Sequence, residues 1–273
     1  MSEGPEKVER IVGEHFLQTG DLGVDGACAV HCAEHHPTER GMDAMNRWKN
    51  AKRALIGLLC LPGLSVAGAI QGKVLLSGTA PTARKLDVTI DQYLCGTEKD
   101  ANDLIVSPRN EIANAVVWIE NAPPNASWPA GADKTTVDQR GCAFLPRVVI
   151  VPAGGTVDFL NSDRLLHNIH ATPMLNVSFN RTQPKSRTIP ITFAKPEIIH
   201  IECDLHSWMS AWVVVAAHPY YALTKADGRF AFDNLPPGRY RLQVWHERLG
   251  TVPVAVTVPD KGDAAISVEM KMR

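Results

Sequence analysis

Two apolar strands joined by a seven-residue turn, in residues 198–215, constrain this chain more than any other stretch. Ile198-Ile199-His200-Ile201-Glu202-Cys203 alternates with a period of two, so Ile199, Ile201 and Cys203 share one face while His200 and Glu202 point the other way. Ala211-Trp212-Val213-Val214-Val215 returns as a closing strand. The turn between them holds Cys203, His206 and Met209: a thiol emerging from the core side, an imidazole and a thioether. Thiolate and thioether sulfur favour Cu(I), imidazole serves both common oxidation states, and one Cys with two His and a weak axial Met describes a copper site built for electron transfer. The turn lacks a second His. The stretch Asn161-Ser162-Asp163-Arg164-Leu165-Leu166-His167-Asn168-Ile169-His170 offers one upstream.

The rest of the chain repeats the strand signal. With 19 Pro and 20 Gly among 273 residues, and many short Val/Ile-rich runs, the sequence predicts strands joined by frequent turns. Ile70–Leu76, Leu86–Ile90 and Ala115–Glu120 read as strands of a small sandwich layer, or of the first half of one. Residues 121–133, rich in Pro, Ala and Asn, read as a linker or long loop. Arg147–Val151 and Thr156–Asn161 read as strands leading to His167. Asp227-Gly228, between alternating residues, predicts a hairpin. The net charge of -1 leaves no block of Lys and Arg to neutralise phosphates, so no nucleic-acid partner is expected.

Gly154-x-x-Val157-x-Phe159-x-Asn161 leading to His167-Asn168, followed by Cys203-x-x-His206-x-x-Met209 after an apolar strand, resembles the cupredoxin family, most closely its amicyanin branch. The resemblance covers about residues 135–217. It implies one type 1 copper ion, with His167, Cys203 and His206 as equatorial ligands and Met209 as the axial one. It also implies that Asn168 steadies the ligand turn by hydrogen bonds. Residues 222–246, with the Asp227-Gly228 and Pro236-Pro237-Gly238 turns, resemble the carboxypeptidase regulatory-like domain, an immunoglobulin-like sandwich that carries no catalytic residues in its family. Val252–Val258 and Ala265–Met270 would complete it. The resulting expectation is an all-β chain: a cupredoxin Greek-key β-sandwich flanked by immunoglobulin-like β-sandwich segments. Its parts are a doubtful leader at 1–44, a signal peptide at 45–69, an N-terminal β segment at 70–133, the cupredoxin-like copper domain at 134–217 and the regulatory-like sandwich at 218–273. About fifty residues make a small sandwich, so the last segment is expected to pack on the segment before Asn121 or on the copper domain.

Met45–Arg53 is a basic run, Ala54–Leu64 an apolar one, and Ser65-Val66-Ala67 or Ala67-Gly68-Ala69 a small-residue cleavage site. Met45 is then the expected start. The apolar run is too short to span a bilayer and is broken by Pro62, so no membrane span is expected in the mature chain. Export to the periplasm or beyond, with cleavage near Ala67 or Ala69, leaves Cys95, Cys142 and Cys203. An odd count points to one thiol with a separate task, so Cys95 and Cys142 form the candidate disulfide.

Several readings compete. His206, on the turn, is expected to be the ligand nearest solvent and the electron port, with Leu205, Ser207 and Trp208 as a docking patch; Trp208 reads equally well as core. His170 and His200 read as ordinary strand histidines. His170, His218 and His246 could form a second metal site, though no spacing supports it. The leading function is single-electron transfer between redox partner proteins. A copper-binding or delivery protein and a structural binding module on a cupredoxin frame are the alternatives. An enzyme is not expected, because extra His-rich ligand strands for further copper ions are not visible.

Overall fold

A computed structural model describes residues 67–124 and 126–272. The basic and apolar runs read as an export signal, the leader and its His and Cys residues lie outside the described residues. Among the described residues no helix is long and apolar enough to cross a membrane.

The chain is built of short strands. They begin with β1 (Gly68–Leu76), β2 (Lys85–Asp87), a single helical turn α1 (Gln92–Cys95), β3 (Glu98–Asp100) and β4 (Val116–Ile119). Then come β5 (Lys134–Gln139), β6 (Phe144–Leu145), β7 (Val148–Pro152), β8 (Thr156–Asn161), β9 (His167–Ala171), β10 (Phe179–Gln183) and β11 (Thr188–Thr192). The ligand turn joins β12 (Glu197–Glu202) to β13 (Ser210–Ala216). The chain finishes with β14 (Tyr221–Leu223), β15 (Arg229–Leu235), β16 (Gly238–His246), β17 (Gly250–Val258) and β18 (Ala264–Met270).

These strands make two sandwiches. In the first, a sheet ordered β10-β9-β12-β13-β7 packs on one ordered β11-β8-β5-β6, around a core that includes Phe159, Ile169, Phe193, Ile199, Ile201 and Val213. In the second, β15-β1-β18 packs on β14-β4-β16-β17, around Ile70, Ile119, Leu235, Leu242 and Val244. The all-β expectation holds, and the segments on either side of residues 134–217 combine into one sandwich. Its central strands β1 and β4 come from before residue 120, and the strands beside them come from after residue 220. The close pairing of β1 with β15 depends on Gly72, where any Cβ would collide with the Phe230 ring.

Two local expectations are corrected. Asp227-Gly228 does form a tight turn, with Gly228 at φ 67° and its N–H donating to Lys225 O at 2.9 Å. It is not a hairpin, however, because β14 pairs with β4 and β15 with β1, so the turn carries the chain from one sheet to the other. Leu86–Ile90 does not extend the second sandwich either. β2 pairs with β3 in a two-stranded ribbon whose Leu86 and Val88 pack into the first sandwich's core.

The continuous apolar run of β13 follows from burial on both faces. Ala211, Val213 and Val215 enter the first core, while Trp212 and Val214 point out of that sandwich onto Val116, Trp118, Tyr221 and Trp245 of the second. Trp212 and Trp245 meet edge to face at 5.1 Å, and Trp118 stacks on Tyr221 at 5.7 Å. Arg147 then bridges the two bodies with a fork: Nε to Glu247 Oε1 at 2.6 Å and Nη2 to Oε2 at 2.7 Å.

Candidate metal centre

β9 and β12 lie side by side in one sheet, which brings His167, at the start of β9, next to the turn that follows β12. Cys203 continues the inward parity of Ile199 and Ile201, so its thiol faces the core. The turn closes on itself through two backbone bonds, Cys203 N–H to Met209 O at 3.3 Å and Met209 N–H to His206 O at 2.8 Å. His167, Cys203 and His206 are all buried, and their ligand atoms lie within 4.8 Å of one another. His167 Nδ1 is 2.9 Å from His206 Nδ1, which is 3.6 Å from Cys203 Sγ. Met209 is buried in the same core.

The outward edges of the two imidazoles decide what the inward edges can do. His167 Nε2 lies 3.0 Å from Asp163 Oδ2, and His206 Nε2 lies 3.1 Å from Asp91 Oδ2. A carboxylate accepts from a ring N–H, so each Nε2 is the donor there and, in the neutral ring, Nδ1 is the nitrogen free to bind an ion. Burial holds the His167 pKa below its ordinary value, which favours the neutral ring, with Asp163 opposing. The two Nδ1 atoms so placed face each other across 2.9 Å, close enough for one ion to take both. Carboxylate–histidine pairs of this kind commonly orient metal-ligating imidazoles. Sulfur and nitrogen donors at about 2.3 and 2.0 Å from one ion would stand about 3.3–3.5 Å apart, close to the separations here. The donor set is one soft sulfur and two imidazoles, which suits a late transition ion such as copper or zinc rather than a hard cation.

Around Cys203 two influences oppose each other. Burial raises its thiol pKa, with the backbone N–H groups of Asn168, His206 and Leu205 working against that rise. It is the free cysteine among the described residues; Cys95 and Cys142 are joined in a disulfide. Asn168 is buried and pins the turn from the β9 side. Its Oδ1 accepts from Asp204 N–H at 2.8 Å, while its Nδ2 donates to Asp204 Oδ2 and Asn180 Oδ1, both at 2.9 Å.

The surroundings differ from the expected ones. His206 is not the ligand nearest solvent: it is 0% exposed, with Asp91 Oδ2 against its Nε2 and the Trp208 ring 5.1 Å away. Trp208 is core, 8% exposed, with Nε1 donating to Cys142 O at 3.1 Å, so of the expected patch only Leu205 and Ser207 face solvent. His170, His218 and His246 do not converge. His170 pairs with Asp204 at 2.7 Å, His218 packs against Tyr221, and His246 is buried in the second sandwich, accepting from Arg248 N–H at 3.2 Å. Asp91 and Asp163 were not anticipated as site residues. Asp163 had a local signal, four positions before His167 in a tight turn, whereas Asp91 is 115 positions from the ring it touches and had none.

The carboxypeptidase regulatory-like domain family matches residues 209–271. No curated protein matches the chain in sequence. Among solved structures, the chain is similar to a Cu-containing nitrite reductase from Thermus scotoductus, at 24% identity and TM-score 0.29, over 36% of this chain and only 25% of that one. It is similar to a purple cupredoxin from Nitrosopumilus maritimus at 19% identity and TM-score 0.27, covering 30% of this chain and 99% of the other. Amicyanin from Paracoccus versutus gives 22% identity and TM-score 0.29, over 37% of this chain and 97% of that one. Residues 209–271 thus carry the carboxypeptidase regulatory-like signature, and over about a third of its length the chain is similar to solved cupredoxins.

Proposed function

We propose that this protein is an exported type 1 copper protein that passes single electrons between redox partner proteins, with His167, Cys203, His206 and Met209 as the residues that would hold the ion. The observation that carries the reading is the convergence of two carboxylate-oriented Nδ1 lone pairs and one buried sulfur on a single point. Copper there would supply a one-electron couple, with Met209 and the hydrogen bonding around Cys203 tuning its potential.

The protein's own part is to hold the donors still. His167 lies in β9, Cys203 follows β12 directly, and Met209 precedes β13, all in one five-stranded sheet packed on both sides near the centre. Asn168 locks the turn to β9, and Asp91 and Asp163 lock the two rings. Donors so fixed move little when the charge between them changes. The buried setting excludes water as a competing ligand and supports retention of the ion, which favours a carrier over a copper-delivery protein. No reaction step on a substrate is assigned to the chain, and near-neutral charge supports protein partners rather than nucleic acid.

The test is to load the chain from Ala67 onward with Cu(II), record visible and electron paramagnetic resonance spectra, and repeat with Cys203→Ser. An intense thiolate-to-copper band at the red end of the visible range, lost in the variant, is expected. Copper bound without that band, or with a band indifferent to Cys203→Ser, refutes the assignment.

A further inference from the structure

Residues 85–100 leave the second sandwich after β1 and lie against the first. Leu86, Val88 and Cys95 enter the first core, Cys95 is bonded to Cys142, and Lys99 Nζ donates to Gly141 O at 2.7 Å. At the head of α1 Asp91 stands in the left-handed region, at φ 53° and ψ 28°. Asp is one of the few residues with a side chain that adopts this state readily. In this position its Oδ2 meets His206 Nε2 and the ring is covered. The same cross-link reaches the other ligand ring. Gly141 N–H and Cys142 N–H donate to Asp163 at 2.6 and 2.8 Å, and Asp163 accepts from His167 Nε2. One disulfide therefore ties together the two loops that govern the carboxylates at both imidazoles.

We propose that Asp91 is a positioning residue for the metal centre: delivered by the disulfide-clamped segment 85–100, it fixes His206 with Nδ1 turned inward and closes the centre to solvent and to competing ligands. This rests on the reading of His167, Cys203 and His206 as metal ligands. Alanine at position 91 removes the only carboxylate on His206 among the described residues, frees the ring to turn and uncovers Nε2. Asparagine keeps an acceptor oxygen in the same place. The segment packs on the centre by one edge, with Ile90, Tyr93 and Leu94 exposed on the other, so these substitutions leave both cores intact.

The experiment follows copper removal by excess ethylenediaminetetraacetate from the loaded wild-type chain, Asp91→Ala, Asp91→Asn and the double variant Cys95→Ser/Cys142→Ser. Serines are used instead of reduction because freed thiols would bind copper themselves. Loss of one hydrogen bond between ring and carboxylate predicts removal about tenfold faster or more in Asp91→Ala. The double variant should behave alike, and Asp91→Asn should stay near the wild-type rate. In parallel, carbethoxylation of His206 by diethyl pyrocarbonate is followed in the metal-free chain by mass spectrometry. It should be slow in wild type and Asp91→Asn, and several-fold faster in Asp91→Ala. Wild-type rates for Asp91→Ala in both assays overturn the proposal. If the wild-type chain takes up no copper while Asp91→Ala still speeds carbethoxylation, the metal reading fails and the hold of Asp91 on His206 stands. Should the double variant fail to fold, Asp91→Ala, which keeps the disulfide, carries the test.

Discussion

Replacing Asn168 by alanine should loosen the ligand turn without touching a ligand. The side chain makes three bonds: Oδ1 accepts from Asp204 N–H, and Nδ2 donates to Asp204 Oδ2 and to Asn180 Oδ1. A neutral bond contributes roughly 1 kcal/mol and one to a charged group about 1.5–3 kcal/mol. Asp204 is exposed, so water replaces part of what is lost, and a net cost of about 2–3 kcal/mol remains. All the partners are protein atoms, and none of the bonds needs an ion in order to form. The cost therefore falls mainly on the unfolding free energy. Metal affinity should drop only as far as the freed turn loses its orientation, about tenfold for an outer-shell partner. Urea unfolding of the metal-free wild type and Asn168→Ala at neutral pH measures the first quantity as a shift in midpoint at constant slope. Competition with a chelator of known affinity measures the second. A variant within about 0.5 kcal/mol of wild type, the scatter of inert surface changes, would show that the turn is held by its own backbone and that Asn168 is incidental.

Two further outcomes follow from the second sandwich. Burial pushes the His246 pKa down from 6.5 to about 4, with Glu247 and Asp103 opposing. The folded value lies below the unfolded one, so this contribution to stability is complete above about pH 6.5 and is lost as the pH falls towards about 4. Its full size is about 3 kcal/mol. His246→Gln should therefore flatten the wild-type stability profile across that window, and parallel profiles in pH-dependent urea unfolding would contradict this. Residues 209–271, expressed alone, should show no cooperative thermal transition, because the central strands β1 and β4 of both sheets are missing and β13 has lost its neighbours. A sharp, reversible transition from that fragment would show that the family-matched segment folds by itself.

Much of the site could be read from the chain. The parity of Ile199, Ile201 and Cys203 placed the thiol inward because side chains alternate faces along any strand, whatever packs on them. His167, Cys203 and His206 could be grouped by chemistry and do lie together, and the odd cysteine count singled out Cys95 with Cys142, which the fold joins. The misreadings share one cause. Period-two patterning tells which face of a strand is apolar but not which distant segment covers it. Val214 and Trp212 read as ordinary strand residues until a second sandwich is laid over them. Asp227-Gly228 fixes a turn, yet its flanking strands find better partners in β4 and β1 than in each other.

The sequence by itself determined the β class, the inward thiol and the candidate donors, all properties of residues close together or of their chemistry. Only the tertiary structure decided that β1 and β4 close a sandwich with strands from the far end of the chain. It also decided that a segment tethered by Cys95 seats Asp91 on His206, so that a histidine expected at the surface is buried. Such contacts span a hundred residues or more and depend on how whole sheets stack, which no local pattern encodes.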